Sequence, residues 1–110
     1  MKGDIVLVRF PFTDQSSDKL RPALALTHFS IDGDMIVAFI TTRFDRRANS
    51  DVLIPLGEPS SGHTGLKRDS LIRPTKLTTL NKRVLLGRIG TLPTRKLREV
   101  DESLRHVLAL

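Results

Sequence analysis

Residues 21–42, RPALALTHFSIDGDMIVAFITT, decide the fold because they contain two apolar runs on either side of a strong turn signal. The runs 21–28 and 35–42 are rich in aliphatic and β-branched residues, which are typical of strands. Between them lies Asp32-Gly33, and glycine accepts the positive φ that a tight hairpin turn requires. The sequence therefore predicts two antiparallel strands that are neighbours in one sheet.

Further runs on both sides of this hairpin have the composition of strands: 3–10, 51–56, 69–73 and 84–92. Pro11 and Pro74 are predicted to end the first and third of them, because proline lacks the backbone N–H of a strand ladder. Pro55 predicts an edge position or a strand end. Two glycines in the last run suit a sharply bent strand. Five or six short strands predict a small, strongly bent antiparallel β-barrel.

The C-terminal part of the chain changes to a helical period. Apolar side chains recur there at steps of three and four residues: Leu97, Val100, Leu104 and Val107 or Leu108. This stripe predicts an amphipathic helix packed on the barrel, with Thr94 as its N-cap. The stretches 11–20 and 57–65 are polar and turn-rich and are predicted to be flexible loops. The predicted class is mainly β (α+β), a barrel with a C-terminal α-helix.

Composition narrows the classes of protein. With 110 residues, 39% hydrophobic and 27% charged, we expect a single globular domain over 1–110. No cysteine is present, which excludes disulfides, thiolate metal sites and thiol nucleophiles. The start, MKGDIVLVRF, is unlike a signal peptide or a membrane span, so a cytoplasmic protein without membrane contact is expected. Without clustered metal ligands or a phosphate-binding glycine loop, neither a metal site nor a cofactor is expected.

The positive charge is concentrated in the second half of the chain, where eleven Lys and Arg face five Asp and Glu. Between residues 67 and 88 one acid, Asp69, stands among seven bases: Lys67, Arg68, Arg73, Lys76, Lys82, Arg83 and Arg88. A focused positive field suits a polyanion such as nucleic acid. The alternative is a solvated surface that keeps the protein soluble. Because Tyr and Trp are absent, we expect contacts through charge and hydroxyls more than through base stacking.

Metal-free cleavage of RNA is a chemistry that such residues can support. The ribose 2′-OH must be aligned on its own phosphate, and the extra negative charge of the phosphorane must be stabilised. Arginine donates two bonds to phosphate oxygens, and threonine hydroxyls bond a phosphate oxygen or the 2′-OH. Of the three scattered histidines, His63 lies in a predicted loop and is a candidate general base, although a surface histidine is the simpler interpretation.

Several short motifs, taken in order, resemble the PemK/MazF toxins over essentially the whole chain. They are Gly3-Asp4-Ile5-Val6, Arg21-Pro22-Ala23-Leu24, Ile40-Thr41, Gly65-Leu66-Lys67-Arg68-Asp69-Ser70 and Leu80-Asn81-Lys82-Arg83. The resemblance implies an SH3-like barrel that forms a homodimer, with single-stranded RNA in a groove across both subunits. It also implies a metal-independent endoribonuclease that inhibits growth, and a cognate antitoxin protein that covers the groove.

The resemblance also implies site residues. The family's catalytic arginine falls on Arg21, which would stabilise the transition state and take part in proton transfer, and its catalytic hydroxyl falls on Thr41, which would hold the scissile phosphate. The remaining RNA-binding positions are Thr42, Lys67, Arg68, Ser70, Arg73, Lys76 and Thr78. Without the resemblance, Arg21 is an exposed charge at a strand start and Thr41 an ordinary strand residue.

One stretch, 73–79 (RPTKLTT), departs from the family pattern. Many members carry an acid near Thr75, a glutamine at Lys76 and an arginine at Thr78. A mechanism that uses an acid at Thr75 therefore fails here, and base preference does not transfer. Two other functions remain open: a barrel that binds nucleic acid without cutting it, and a CcdB-like poison of a protein target such as DNA gyrase, in which the C-terminal helix would carry function.

Overall fold

The apolar runs fold into six strands and one α-helix in the computed structural model, which describes residues 1–10 and 19–110. The strands are β1 (Asp4–Phe10), β2 (Lys19–Ala25), β3 (Asp34–Thr41), β4 (Val52–Ile54), β5 (Ser70–Asn81) and β6 (Leu85–Thr91), and the helix is α1 (Thr94–Val107). Two 3₁₀ helices span Pro59–His63 and Lys82–Val84. Most of the loop predicted at 11–20 lies outside the described residues, and its last two residues belong to β2.

The strands form one antiparallel sheet in the order β4-β5-β3-β2-β1-β6, which curls into a half-barrel. The predicted hairpin is confirmed: β2 pairs with β3 in antiparallel orientation, and Gly33 in the connection has a φ of +82°. The edge position predicted from Pro55 is also confirmed, because β4 is a terminal strand of the sheet. The mainly β class with a C-terminal helix is therefore confirmed.

Alternate residues of the central strands enter two different apolar clusters. Ile5, Leu24 and Ile40 pack in the cluster that also contains Val100 of α1. The opposite face of the same strands contributes a second cluster: Val6, Val8, Ala23, Ala25, Met35 and Val37. Side chains alternate between the two faces of a strand, and here both faces are apolar. The strands therefore appear in the sequence as continuous apolar runs.

The prediction that Pro74 ends a strand is wrong, because β5 runs through it to Asn81. Opposite β3, Ala38 pairs with Leu77 but Phe39 pairs with Arg73, so residues 74–76 form a bulge between two regular ladders. A bulge leaves its extra residues outside the ladder, and proline is tolerated there because no backbone donor is needed. The bulge also changes the direction of the strand next to the cavity described below.

The stretch 57–65, which is predicted from the sequence to be a flexible loop, contains local regular structure. It contains the 3₁₀ helix Pro59–His63, and Ser61 and Thr64 are buried. The hydroxyl of Thr64 donates to the carbonyl oxygen of Ser61 at 2.7 Å. The backbone at Thr64 packs so tightly against β6 that a Cβ on Gly90 would overlap the carbonyl group of Thr64. Backbone packing and these hydrogen bonds shape the segment, and glycine at 90 permits the close approach.

The predicted helix is confirmed, with Val100 buried and Leu97 and Leu104 packed against the same apolar cluster. The predicted N-cap at Thr94 is wrong, because Pro93 takes that position and no side chain caps the helix. Arg95, in the first turn, forms an ion pair with Glu58 at 3.0 Å. No helix in the described part of the chain is long and apolar enough to cross a membrane.

Candidate functional site

A cavity of about 360 Å³ lies where β2, β3 and the bulged part of β5 meet. It is lined by Arg21, Pro22, Phe39, Ile40, Thr41, Arg73 and Lys76. Four of these residues were predicted from the sequence as site residues, and they come from three separate strands. The hydrophobic members form an apolar wall beside the cationic and hydroxyl groups.

Arg21 and Thr41 share this cavity because of the β2–β3 register. Ala23 lies opposite Phe39, and continuing that register by two residues places Arg21 opposite Thr41. Residues two apart on a strand point to the same face, so both side chains continue the face that carries the apolar cluster around Ala23 and Val37. The cavity therefore lies at the end of an apolar core, where polar side chains begin.

The side chain of Arg21 is available for an external ligand. It is exposed, and among the described residues it has neither an ion-pair partner nor a hydrogen-bond partner. An unpaired guanidinium beside an apolar wall presents its planar fork of donors to an incoming anion. This arrangement favours a phosphate ligand with two oxygens facing the arginine.

Thr41, the last residue of β3, is half-buried and has a fixed side chain. Its Oγ1 accepts a hydrogen bond from the backbone N–H of Arg43 at 3.1 Å. A hydroxyl that accepts this bond still has its own proton to donate. Thr41 is therefore oriented by the chain that follows it and keeps one donor for a ligand.

Arg73 has protein partners, in contrast to Arg21. Its Nε lies 3.4 Å from both carboxylate oxygens of Asp51, and a terminal nitrogen donates to the carbonyl oxygen of Arg46 at 3.3 Å. The Asp51 side chain is 0% exposed and that of Arg73 is 20% exposed. Asp51 thus neutralises much of the charge of Arg73, which lines the cavity as a paired cation.

Lys76 reaches the cavity because of the bulge in β5. It is exposed and has no ion pair within the ranges 1–10 and 19–110. Bulges commonly re-aim a side chain beside a functional site. Lys76 therefore supplies a second free cation to the cavity, at a position that sequence reasoning had placed after the end of a strand.

The other predicted RNA-binding residues do not line the cavity. Thr42, Lys67 and Arg68 are exposed; Thr42 adjoins Thr41, and Lys67 and Arg68 precede β5, whose Leu71 pairs with Thr41. Thr78 is half-buried opposite Val37, beyond the bulge. Ser70 is buried, and its hydroxyl donates to the carbonyl oxygen of Arg68 at 2.9 Å. Ser70 is therefore not available to a ligand in this structure.

The basic segment 67–88 does not fold into one wall. Two of its seven bases, Arg73 and Lys76, line the cavity. Arg88 lies on β6 with its guanidinium 3.8 Å from Asp4, and Lys82 and Arg83 lie on the second 3₁₀ helix. A charge count along the sequence therefore overstated how many cations meet at the site, because a long strand carries its side chains away from one another.

Sequence reasoning missed the basic loop 42–51 that joins β3 to β4. It begins beside Thr41 and carries Arg43 and Arg46, both exposed. A hydrogen bond to the backbone of Asp45, with added help from Arg43 and Arg46, lowers the pKa of the Asp45 carboxyl. Asp45 is thus ionised at neutral pH. The sequence does contain a signal for this loop, namely three arginines within the seven residues that follow Thr41. The signal is hidden when charges are counted over the first half of the chain, because Lys and Arg there equal Asp and Glu in number.

His63 does not belong to this site. It lies at the end of the first 3₁₀ helix and lines a separate cavity of about 190 Å³ with Arg88, Ile89, Gly90 and Thr91. Neither a histidine nor a carboxylate from the described residues lines the Arg21 cavity. Within the same residues there is no cluster of three or more His, Asp or Glu side chains placed to hold a metal ion.

Comparison with known proteins points to one family. A family model described as PemK-like, MazF-like toxin of type II toxin-antitoxin system matches residues 1–108. Endoribonuclease MazF2 of Mycobacterium bovis and endoribonuclease MazF6 of Mycobacterium tuberculosis are each 47% identical over 47 residues. Each alignment covers 43% of this chain and 41% of the relative, so the match spans less than half of these curated proteins.

Solved structures share the fold over nearly the whole chain. Mycobacterium tuberculosis toxin MazF-mt6 superposes with a TM-score of 0.74 at 23% identity, covering 97% of both chains. A MazE-MazF structure (Form-II) from Deinococcus radiodurans has a TM-score of 0.76 at 21% identity, covering 99% of this chain and 94% of its match. An endoribonuclease in complex with its cognate antitoxin, from a mycobacterial species, has a TM-score of 0.74 at 16% identity, covering 100% and 95%.

Proposed function

Because this chain belongs to the PemK-like, MazF-like toxins of type II toxin-antitoxin systems, we propose that it is a toxin that cuts single-stranded RNA and thereby inhibits growth. The observation that carries this proposal is that Arg21, which has no partner among the described residues, lies in one cavity with an oriented Thr41. An exposed guanidinium and a hydroxyl donor on a partly apolar wall suit a phosphate on which charge develops.

In the proposed reaction the 2′-oxygen of a ribose attacks the phosphorus of its own 3′-phosphate. The 2′-OH loses its proton, the bond to the 5′-oxygen of the next nucleotide breaks, and that oxygen takes up a proton. The products are a 2′,3′-cyclic phosphate and a free 5′-OH, and the overall step requires no oxidant or cofactor. Arg21 would bind two phosphate oxygens and stabilise the phosphorane, and Thr41 would donate to a phosphate oxygen and hold it in line.

Lys76 would add a sequence-neutral contact to the RNA backbone, because contacts to phosphate position a nucleic acid without reading its bases. Thr42, Lys67 and Arg68, which are all exposed, would extend the path of the RNA strand, and Thr78 lies further along β5. Arg73 would act through position, with its charge offset by Asp51. The affinity of the protein for RNA should therefore fall steeply as the salt concentration rises.

The proposal extends to partners and location. A cognate antitoxin protein would cover the cavity, which agrees with the antitoxin complexes among the fold relatives. A homodimer would place two such cavities along one RNA groove, as the family resemblance implies. The site would act in the cytoplasm, where its RNA substrate is found.

The test is cleavage of labelled single-stranded RNA by purified protein in the presence of EDTA, under single-turnover conditions. We expect cleavage to persist and Arg21→Ala to lower the rate by about 10²–10³, the usual effect of removing one transition-state donor. Arg98→Ala, which removes an exposed arginine of α1, is the matched control and should retain the parental rate. Parental activity in Arg21→Ala would contradict the assignment of Arg21.

Two other outcomes would point to the alternative functions. RNA that is bound in a salt-dependent manner but stays intact would indicate a binding module. Growth inhibition without RNA cleavage, lost when residues after Leu104 are removed from a barrel that still folds, would indicate a poison of a protein target. Mapping of RNA 5′ ends after induction in cells, with Arg21→Ala as control, would reveal the cleavage sequence.

A further inference from the structure

The loop 42–51 continues the cavity on the side of Thr41. Arg43 follows Thr41 by two residues, so their α-carbons are at most about 7 Å apart. Arg43 and Arg46 are exposed. Arg43 pairs with Asp45 at 3.2 Å, whereas Arg46 has no ion pair with any described residue. The loop therefore carries two exposed cations, and one of them lies two residues from Thr41.

This loop is held in place by hydrogen bonds at several points. The backbone N–H of Arg43 donates to Thr41 Oγ1, and that of Arg47 donates to the carbonyl oxygen of Phe44 at 3.2 Å. At its far end Asp51 accepts from the N–H of Ala48 at 2.9 Å. In the middle, the carbonyl oxygen of Arg46 accepts from Arg73, which lines the cavity. The cavity and the loop thus share one hydrogen-bond network.

We propose that Arg43 and Arg46 bind a phosphate that flanks the one held by Arg21 and Thr41, so that the RNA site continues from the cavity onto this loop. The inference rests on the proposed function, because it assigns a further part of the same RNA path. Asp51 and Arg73 hold the backbone of the loop in place, so less backbone entropy is lost when RNA binds.

The third arginine of the loop provides a matched control. Arg47 lines a different cavity, between the loop and α1, together with Lys96, Glu99 and Glu102. It carries the same charge and lies next to Arg46 in sequence, yet it borders the helix side of the loop. If only net charge matters, replacement of Arg46 or of Arg47 should therefore weaken RNA binding equally. If Arg46 contacts the RNA locally, replacement of Arg47 should not have the same effect.

The experiment measures binding by fluorescence anisotropy at several salt concentrations, with an RNA of about 20 nucleotides whose 2′-OH groups are methylated so that it cannot be cut. We expect Arg43→Ala/Arg46→Ala to weaken binding about tenfold and to make the salt slope shallower by about 0.7, since the contact to one phosphate of a single strand is lost. Arg47→Ala should bind like the parent. Asp45→Asn should bind about two- to fivefold more tightly, because it releases Arg43 from a surface ion pair.

Equal weakening by Arg47→Ala, or parental binding and salt slope in the double variant, would overturn the inference. Kinetics with cleavable RNA separate it from the proposed function. When the protein concentration is varied in single-turnover cleavage, the double variant should need about tenfold more protein to reach half of the maximal rate, whereas Arg21→Ala should lower the maximal rate itself. If the parent cuts no RNA the proposed function fails, yet the binding measurements still decide the role of the loop.

Discussion

The Nε of Arg73 lies 3.4 Å from each carboxylate oxygen of Asp51, and this pair joins β5 to the end of the loop between β3 and β4. The Asp51 side chain has no exposed surface, so its charge depends on Arg73 and on the backbone N–H of Ala48. A buried carboxylate without its cation is costly, whereas a well-packed apolar pair in its place can be neutral. A change in either residue should therefore affect both the stability of the fold and the geometry of the cavity that Arg73 lines.

Loss of one partner of this pair should destabilise the protein strongly. We expect Arg73→Ala to lower the free energy of unfolding by about 2–4 kcal/mol, towards the lower end for a broken buried pair because Arg73 is 20% exposed. The double variant Asp51→Leu/Arg73→Met should recover part of that loss, since no unpaired charge remains. Urea denaturation of Asp51→Leu, Arg73→Met and the double variant measures the coupling, and strictly additive losses would show that the pair does not act as a unit.

The hydroxyl of Thr41 is expected to act in the transition state. Thr41→Val keeps the shape of the strand residue but removes the donor, so kcat should fall by about 10²–10³ with little change in KM. Thr41→Ser restores a hydroxyl and should retain most of the activity. Single-turnover cleavage of RNA checks this prediction. A valine variant with the parental rate would show that the Thr41 hydroxyl is not needed in the transition state.

Gly90 should tolerate no side chain. A Cβ there would overlap the backbone of Thr64 and the carbonyl oxygen of His63, so we expect Gly90→Ala to cost about 1–3 kcal/mol or more. Gly57→Ala is the matched control, because a Cβ at Gly57 meets nothing within 4 Å and the change should stay within about 0.5 kcal/mol. Thermal unfolding of both variants gives the comparison. Similar melting temperatures would indicate that the 3₁₀ segment shifts to relieve the overlap.

His63 should be dispensable for cleavage. It lines a cavity on β6 that contains neither Arg21 nor Thr41, so it cannot accept the 2′-OH proton in the described arrangement. We expect His63→Ala to cut RNA at the parental rate between pH 6 and 8, and a rate–pH profile of both proteins tests this. A loss of activity in the alanine variant, with folding intact, would return His63 to the list of candidate bases.

Pro74 is a residue at which the local sequence pattern predicts the wrong end of a strand. A proline within an apolar run commonly ends a strand, since it cannot donate to the ladder. Here β3 is long enough to pair with β5 on both sides of residues 74–76, and the bulge excludes the proline from the ladder. Whether a partner strand continues beyond a proline depends on contacts far away in sequence, which no local pattern contains.

The sequence by itself determined the elements whose signals are local. The turn at Asp32-Gly33, the apolar runs of the central strands and the amphipathic period of α1 each depend on residues that are close in the chain, so composition and spacing predict them. The resemblance to a toxin family likewise needed only short motifs in order.

Only the tertiary structure decided which charges meet. Arg21 and Lys76 lie 55 positions apart in sequence, and they share a cavity because β3 pairs with β2 on one side and with the bulged β5 on the other. The same packing assigned Arg73 to the buried Asp51 and left Arg21 without a partner among the described residues. A cation's role depends on its nearest opposite charge in space, and strand pairing sets that distance.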